Sequence, residues 1–219
     1  MIKSTNDHIT NARLTYDKGQ LLETEVNTNP YLQFEQWLNE AITSKLLEPY
    51  AMQLATVDAN QYPSTRTVLL RQIIVNEGIV FYTNYDSYKG NALAHNPKVG
   101  VNFFWPELER QVRIRGIIEP LSATRSDAYF NSRPHTSRVG AVVSAQSQPI
   151  ASRQLLENNY AKALETYANS SPTRPANWGG YLIAINQFEF WQGRPSRMHD
   201  RLIYTLNPNN EWVLGRLQP

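Results

Sequence analysis

Thr65-Arg66-Thr67-Val68-Leu69-Leu70-Arg71-Gln72-Ile73-Ile74-Val75 is followed by Asn76-Glu77-Gly78 and then by Ile79-Val80-Phe81-Tyr82-Thr83. Two runs rich in β-branched and aromatic residues, separated by a short polar turn, read as an antiparallel hairpin. Asparagine and glycine tolerate the left-handed backbone that a tight turn demands, whereas the flanking valines and isoleucines do not. Working outward, further strand candidates are Ala51–Val57, Val99–Trp105 and Gln111–Pro120 on the near sides. Toward the C-terminus come Gly180–Ile185, Phe188–Trp191, Arg201–Tyr204 and Trp212–Leu214. Between Tyr31 and Leu46, Phe34, Trp37, Leu38, Ala41 and Ile42 recur at helical spacing. After Ser122, a plausible N-cap, a helix through Phe130 is expected, then a short one containing Gly140–Ala145. A third, longer helix carries Leu156, Tyr160, Ala163, Leu164 and Tyr167 on one face, and Ser170–Pro175 is a loop. Residues 1–30 are polar and aperiodic and read as a mobile arm, with residues 31–219 forming one domain. Strands, then helices, then strands again argue against a βαβ alternation. The expected fold is mainly β, a mostly antiparallel barrel with helices at its periphery.

Composition narrows the function by exclusion. The 219 residues are 41% hydrophobic and 11% aromatic, enough for a sizeable core, and 18% charged, too few for a disordered polyelectrolyte. A net charge of +2 gives no support to a nucleic-acid partner, because basic and acidic residues are interleaved. With no cysteine, disulfides, thiolate zinc sites and cysteine nucleophiles are ruled out. His8, His95, His135 and His199 lack metal-ligand spacing, so no metal is expected. No glycine-rich dinucleotide turn, P-loop or nucleophile elbow is present. With no apolar leader and no long apolar run, a soluble cytoplasmic protein without a membrane partner is the expectation.

Arginine remains. Basic and hydroxyl side chains gather at Arg66–Arg71, Tyr82–Lys89, Arg110–Arg115, Arg133–Arg138 and Arg194–Arg201. A phosphate held without a glycine cradle must be held by side chains, and the arginine fork bonds its oxygens in pairs. Arg197, His199 and Arg201 alternate, so an extended segment would turn all three to one face, with Trp191 before them as an aromatic platform. Any one cluster alone reads first as a solvated strand face, Trp191 alone as core, and His199 alone as a hydrogen-bonded structural histidine. On spacing, the reading stops at a β-rich protein that binds a phosphorylated ligand.

Taken together, the segments resemble the pyridoxamine 5′-phosphate oxidase family, FMN enzymes of split-barrel fold. The matching pieces begin with Arg66-Thr67-Val68-Leu69-Leu70-Arg71, Val80-Phe81-Tyr82-Thr83-Asn84 and Leu108-Glu109-Arg110-Gln111-Val112. Tyr129-Phe130, Ser132-Arg133-Pro134, Gln146-Ser147 and Trp178-Gly179-Gly180 follow in family order. Glu189-Phe190-Trp191-Gln192-Gly193, Arg197-Met198-His199-Asp200-Arg201 and Arg216-Leu217-Gln218-Pro219 close the series. The Arg-x-His-Asp-Arg ending separates this family from neighbouring split barrels.

The resemblance implies an oxidase that converts pyridoxamine or pyridoxine 5′-phosphate to pyridoxal 5′-phosphate, with O2 as acceptor and H2O2 as product. It implies FMN held by Arg66, Val68, Leu69, Tyr82, Thr83, Ser87, Tyr88, Lys89, Gln111, Gln146, Ser147, Trp191 and Arg201, with Arg71 close by. It assigns the substrate phosphate to Arg71, Tyr129, Arg133 and Ser137, and the pyridine ring to Arg197 and His199, the expected catalytic pair. Arg13 and Tyr16 match an N-terminal stretch that closes over substrate in relatives, and a homodimer with FMN at its interface is implied. Two positions depart from the family pattern: Arg71 stands where lysine is usual, and Tyr88 where a basic residue is usual. The alternative is a non-catalytic flavin- or pyridoxal-phosphate-binding split barrel.

Overall fold

The computed structural model describes residues 5–12 and 14–219. Its chain runs through α1 (Thr5–Asn11), α2 (Pro30–Thr43), β1 (Ala51–Val57), β2 (Pro63–Leu69), β3 (Gln72–Ile74) and β4 (Gly78–Asn84). Next come α3 (Tyr88–His95), β5 (Lys98–Trp105), β6 (Arg110–Pro120), α4 (Ala123–Ser132), α5 (His135–Val143) and α6 (Arg153–Thr166). β7 (Trp178–Gln192), β8 (Asp200–Leu206) and β9 (Trp212–Arg216) complete it. The strands lie in the order β2-β1-β5-β6-β7-β4-β3, with β8 pairing β7 and β9.

The quoted hairpin forms, with Ile74 opposite Gly78 and Asn76 in the left-handed region at φ 66°. The first run, however, is two strands and not one. β2 pairs β1, while β3 pairs β4, so the backbone changes partner at Leu70 and Arg71. Leu70 N–H donates to Tyr50 O and Arg71 N–H to Val80 O, and the buried Leu70 side chain anchors the switch. Alternation alone cannot reveal such a switch, because both halves keep strand period. Conversely, Gly180–Ile185 and Phe188–Trp191 are one 15-residue strand, β7. The polar pair Asn186-Gln187 reads as a break, yet ladder pairing needs backbone groups, not apolar side chains.

The chain forms two compact units. One comprises Met1–Leu47, Phe104–Val112 and Phe188–Pro219. Its core is aromatic: Tyr31 meets Phe188 edge-on at 5.2 Å, Trp37 meets Phe190 at 5.3 Å, and Phe190 meets Tyr204 at 5.7 Å. Each such pair adds about 0.5–1.5 kcal/mol beyond burial. Asn29 caps α2 by accepting from Tyr31 N–H, with Pro30 at the first position, and the helix ends at Thr43, short of the expected Leu46. Lys45 turns left-handed at φ 57°, which ends the helical ladder. Within the stretch read as an arm, α1 forms, Lys18 N–H donates to Glu109 Oε2 at 3.0 Å, and Leu21 is buried.

The other unit comprises Glu48–Phe103 and Arg113–Gln187. β4 is buried along nearly its whole length and pairs with β7 from Gly78↔Ala184 to Asn84↔Trp178. Met52, Leu54, Phe81, Phe103, Ile114 and Ile183 are fully buried around it, each worth about 1.5–3 kcal/mol of transfer free energy. α4 follows its Ser122 cap as expected, and α5 runs His135–Val143, ending short of the expected Ala145. α3 has no clear apolar stripe, which is why periodicity does not find it.

α3 is fixed by a close approach. A Cβ on Gly90 would stand 1.9 Å from Tyr85 O, so only glycine lets this helix lie against the turn before it. Gly90→Ala is expected to lower stability by about 1–3 kcal/mol through overpacking, a melting point lower by roughly 2–12 °C at this chain length. A thermal melt superimposing on that of the parent protein would refute the constraint.

Candidate functional site

In the second unit, the end of β4 and the start of α3 form a polar nest. Ser87 caps α3: its Oγ accepts from Gly90 N–H at 3.2 Å and donates to Asn84 O at 2.6 Å. Lys89 Nζ donates to Thr83 Oγ1 at 3.0 Å, Ser87 Oγ at 3.3 Å and Gln146 Oε1 at 2.8 Å. Burial first, and then the like charge of Arg66, push its ammonium down to about 8 from 10.5. Arg66, on β2, donates to Leu54 O at 3.1 Å and Thr56 Oγ1 at 2.7 Å, and burial lowers its affinity for its proton too. Among the described residues neither cation pairs with a carboxylate. Two uncompensated cations among hydroxyls and an amide fit a phosphate dianion. Val68 and Leu69 are half-buried on the same strand, and Ser147 follows Gln146 in the left-handed region at φ 72°. The Tyr88 hydroxyl donates to Asp58 Oδ2 at 2.5 Å.

The same unit holds a second cluster. Tyr82 and Tyr129 stack with centroids 3.7 Å apart, and Trp178 continues the stack 5.6 Å from Tyr82. The Arg133 guanidinium lies over Trp178 at 4.7 Å and near Phe130 at 5.9 Å. Its Nη1 is buried and has no hydrogen-bond partner. Burial chiefly weakens its hold on its proton; Arg71's like charge adds to this and Tyr129 opposes it. An unsatisfied buried donor costs about 1–3 kcal/mol, so Arg133, with Arg71 beside it and no acid at hand, fits a second anion. Ser137 sits half-buried in the first turn of α5, whose N-cap, Pro134, offers no side-chain acceptor.

The first unit carries the remaining residues. Trp191 faces His199 at 4.8 Å, and Tyr16 meets both rings edge-on at 5.7 and 5.5 Å. A cavity of about 500 Å³ is lined by residues 12 and 14–16 of the N-terminal segment with Arg194, Ser196, Arg197 and His199. The expected extended run through Arg197, His199 and Arg201 is not found. Pro195–Arg197 is a 3-10 turn with Ser196 and Arg197 at φ 56° and 61°, so strand alternation does not govern these side chains. Arg197 is exposed at the cavity, whereas Arg201, on β8, bonds Glu189 Oε1 at 3.0 Å and Gln218 O at 2.9 Å. His199 Nδ1 accepts from Arg194 N–H at 3.1 Å, which leaves Nε2 to carry the hydrogen and donate it. Gln111 is half-buried on β6, and Arg13 lies outside the described residues.

Sequence reasoning overlooked Thr56, which receives Arg66, and Asp58, which takes Tyr88. Neither had a signal in its own neighbourhood. Trp178, seen only as part of a motif, and Arg194, seen only as part of a cluster, were legible as aromatic and basic residues without a partner to name.

Residues 38–167 match a family model described as pyridoxamine 5′-phosphate oxidase. Residues 178–219 match one described as the pyridoxine 5′-phosphate oxidase C-terminal dimerisation region. A pyridoxine/pyridoxamine 5′-phosphate oxidase of a Polaromonas species is 50% identical over 207 residues, 94% of this chain and 95% of that one. One from Trichormus variabilis is 48% identical over 211 residues, 96% and 98% of the two chains. Among solved structures, PhzG from Burkholderia lata, in complex with tetrahydrophenazine-1-carboxylic acid, superposes with a TM-score of 0.86 at 26% identity. The match covers 93% of this chain and all of that one, 100%. A pyridoxamine 5′-phosphate oxidase-related, FMN-binding protein from Nostoc punctiforme gives 0.70 at 19% identity, over 85% and 97%. The fold is the antiparallel split barrel that the sequence led us to expect.

The depressed Lys89 ammonium has a measurable sign. Below about 8 it is charged in folded and unfolded chain alike, and its burial penalty is fully present. Between about 8 and 10.5 the unfolded chain binds more protons, so stability rises with pH across that window. Melting of the ligand-free protein from pH 7 to 9.5, compared with Lys89→Met, is expected to show this rise in the parent only. Parallel pH profiles would show that Lys89 is not desolvated.

Proposed function

The chain belongs to the pyridoxine/pyridoxamine 5′-phosphate oxidase family, and from that premise we propose how its own residues carry out the oxidation. Pyridoxamine 5′-phosphate, O2 and water yield pyridoxal 5′-phosphate, ammonia and H2O2; pyridoxine 5′-phosphate and O2 yield the same aldehyde and H2O2. The observation that carries the proposal is the buried, unpartnered Arg133 Nη1 with the like charge of Arg71 near it, a pairing that suits a substrate phosphate.

The protein is a flavoprotein, and the fit of the nest around Lys89 to a phosphate supports FMN as the flavin. The chemistry FMN would supply when bound there is hydride acceptance from the substrate and two-electron reduction of oxygen. Arg66, Lys89, Ser87 and Thr83 hold its phosphate, and Val68, Leu69, Tyr82 and Ser147 line its path. Gln111 and Gln146 offer amides to the polar edge of its ring. Trp191 and Arg201 complete the site from the partner subunit in a homodimer, and a cytoplasmic setting is part of the same proposal. Tyr88 contributes no phosphate contact, because its hydroxyl is committed to Asp58.

Arg71, Tyr129, Arg133 and Ser137 grip the substrate phosphate. Binding energy from that remote group orients the reacting carbon and lowers the entropic part of the barrier. Arg197 and the His199 Nε2–H donate to the pyridine substituents and hold the ring in register. Neither acts as a nucleophile. Tyr16 covers the substrate and excludes water.

The first test is an absorbance spectrum of the purified protein, before and after anaerobic addition of pyridoxamine 5′-phosphate. A flavin band that bleaches and returns with air is expected; a yellow protein that does not bleach would leave a non-catalytic flavin carrier. Arg197→Ala is expected to lower turnover at least tenfold with flavin occupancy unchanged, and normal turnover at full occupancy would remove Arg197 from the reaction. Arg133→Ala removes charge-assisted bonds worth about 1.5–3 kcal/mol, so KM is expected to rise roughly 10- to 100-fold. An unchanged KM would place the substrate phosphate elsewhere.

A further inference from the structure

Asp200 lies inside the Arg-Met-His-Asp-Arg run, directly after His199, and its carboxylate faces the N-terminal segment. Its Oδ1 accepts from Arg216 Nη1 at 2.7 Å, and its Oδ2 accepts from Leu21 N–H at 3.1 Å. Arg194 Nε stands 3.6 Å from the same Oδ2, and the Asp200 side chain is only 15% exposed. Each of these two arginines also holds a carbonyl of the segment: Arg194 Nη1 donates to Gly19 O at 3.0 Å, and Arg216 Nη2 to Leu21 O at 2.8 Å. Arg216 adds a two-point grip on the Glu23 carboxylate, 2.7 Å to each oxygen. That grip holds the Glu23 carboxyl down at about 2.

One carboxylate therefore gathers two cations, and both cations bind residues 19–23. The same Arg194 offers its backbone N–H to His199 Nδ1, while Tyr16, a few residues ahead of the gripped stretch, packs against His199 and Trp191. Without Asp200, two guanidinium groups would face each other across a partly buried gap with their acceptors on the segment weakened.

We propose that Asp200 is a positioning residue that fastens residues 19–23 and so keeps Tyr16 closed over the cavity lined by Arg197 and His199. It touches neither reacting atoms nor cofactor; its effect passes through Arg194 and Arg216. The proposal deepens the oxidase reading and rests on it for its kinetic consequence, but the anchoring itself is testable without turnover. Lys18 sits just before the fastened stretch, with its backbone N–H on Glu109 and its Nζ on Glu107 O at 2.6 Å. Cleavage by trypsin after Lys18 therefore reports release.

In the flavin-loaded protein, Asp200→Asn and Glu23→Ala are each expected to speed that cleavage at least tenfold. KM for pyridoxamine 5′-phosphate is expected to rise about tenfold, with kcat within twofold and flavin occupancy unchanged. Cleavage at the parental rate in both variants would overturn the proposal, as would a fall in kcat with KM unchanged. Should Asp200→Asn unfold the protein, Glu23→Ala decides by the same readouts, since Glu23 is half-exposed and makes only the arm side of the grip. A protein that shows protected Lys18 but no oxidase activity would sink the functional reading and leave the anchor standing.

Discussion

Half-buried positive charge without a carboxylate beside it is the constraint around which the second unit is built. Lys89, Arg66 and Arg133 are each partly desolvated, and each holds its proton less firmly for that reason. A structure assembled for stability alone would set an acid next to each, as Arg174 has Asp127 at 2.6 Å and Arg110 has Glu40. At these three positions, among the described residues, no carboxylate lies within ion-pair distance, and a bound anion would supply the missing charge. A phosphate bound there would meet donors already aimed and already partly stripped of water, which would offset the cost of burying them.

The fold supplies the rigidity that such donors require. Tyr82 and Thr83 come from the end of β4, the strand most completely buried, and Ser87 and Lys89 from a helix locked to it by Gly90. Arg71 lies where the chain passes from one strand partner to another, a point fixed by backbone bonds on both sides. By contrast Tyr16 belongs to a segment held chiefly by side chains. Donors set on buried backbone are rigid, whereas a segment held by side chains can release without disturbing the core.

Much of this was legible in the sequence. The hairpin around Asn76, the amphipathic α2 and the Ser122 cap follow from local chemistry, and the structure contains them. The partner switch at Leu70 was not legible, because both strands have the same period, and α3 was not, because its helix rests on a close backbone approach instead of an apolar stripe. Lys89, Thr83, Ser87 and Gln146 come together from segments up to 63 residues apart, which only the family resemblance could anticipate. The departure at Tyr88 acquires a physical reading. Its hydroxyl is committed to Asp58, which also accepts from the Asn60 and Tyr62 N–H groups. Arg66 and Lys89 are then the two cations left for a dianion.

The turn before His199 gives the anchor a second reason to exist. Ser196 and Arg197 both hold left-handed backbone conformations, which for residues with a Cβ cost about 1–2 kcal/mol each. Such strain persists only where the flanks over-determine it. On one flank Met198 N–H bonds Pro195 O, and Arg194 N–H bonds His199 Nδ1. On the other, Asp200 begins β8, and its carboxylate is tied to Arg216 and Leu21. A relaxed turn would swing Arg197 off the cavity and free His199 to change tautomer, so the bonds that fasten the segment also hold the strained turn in its working shape. Alternation in Arg197, His199 and Arg201 suggested a strand because strands are the least strained way to align side chains. The chain does not align them: Arg197 reaches the cavity from a strained turn braced by charge, while Arg201 is tied to Glu189 and Gln218 O.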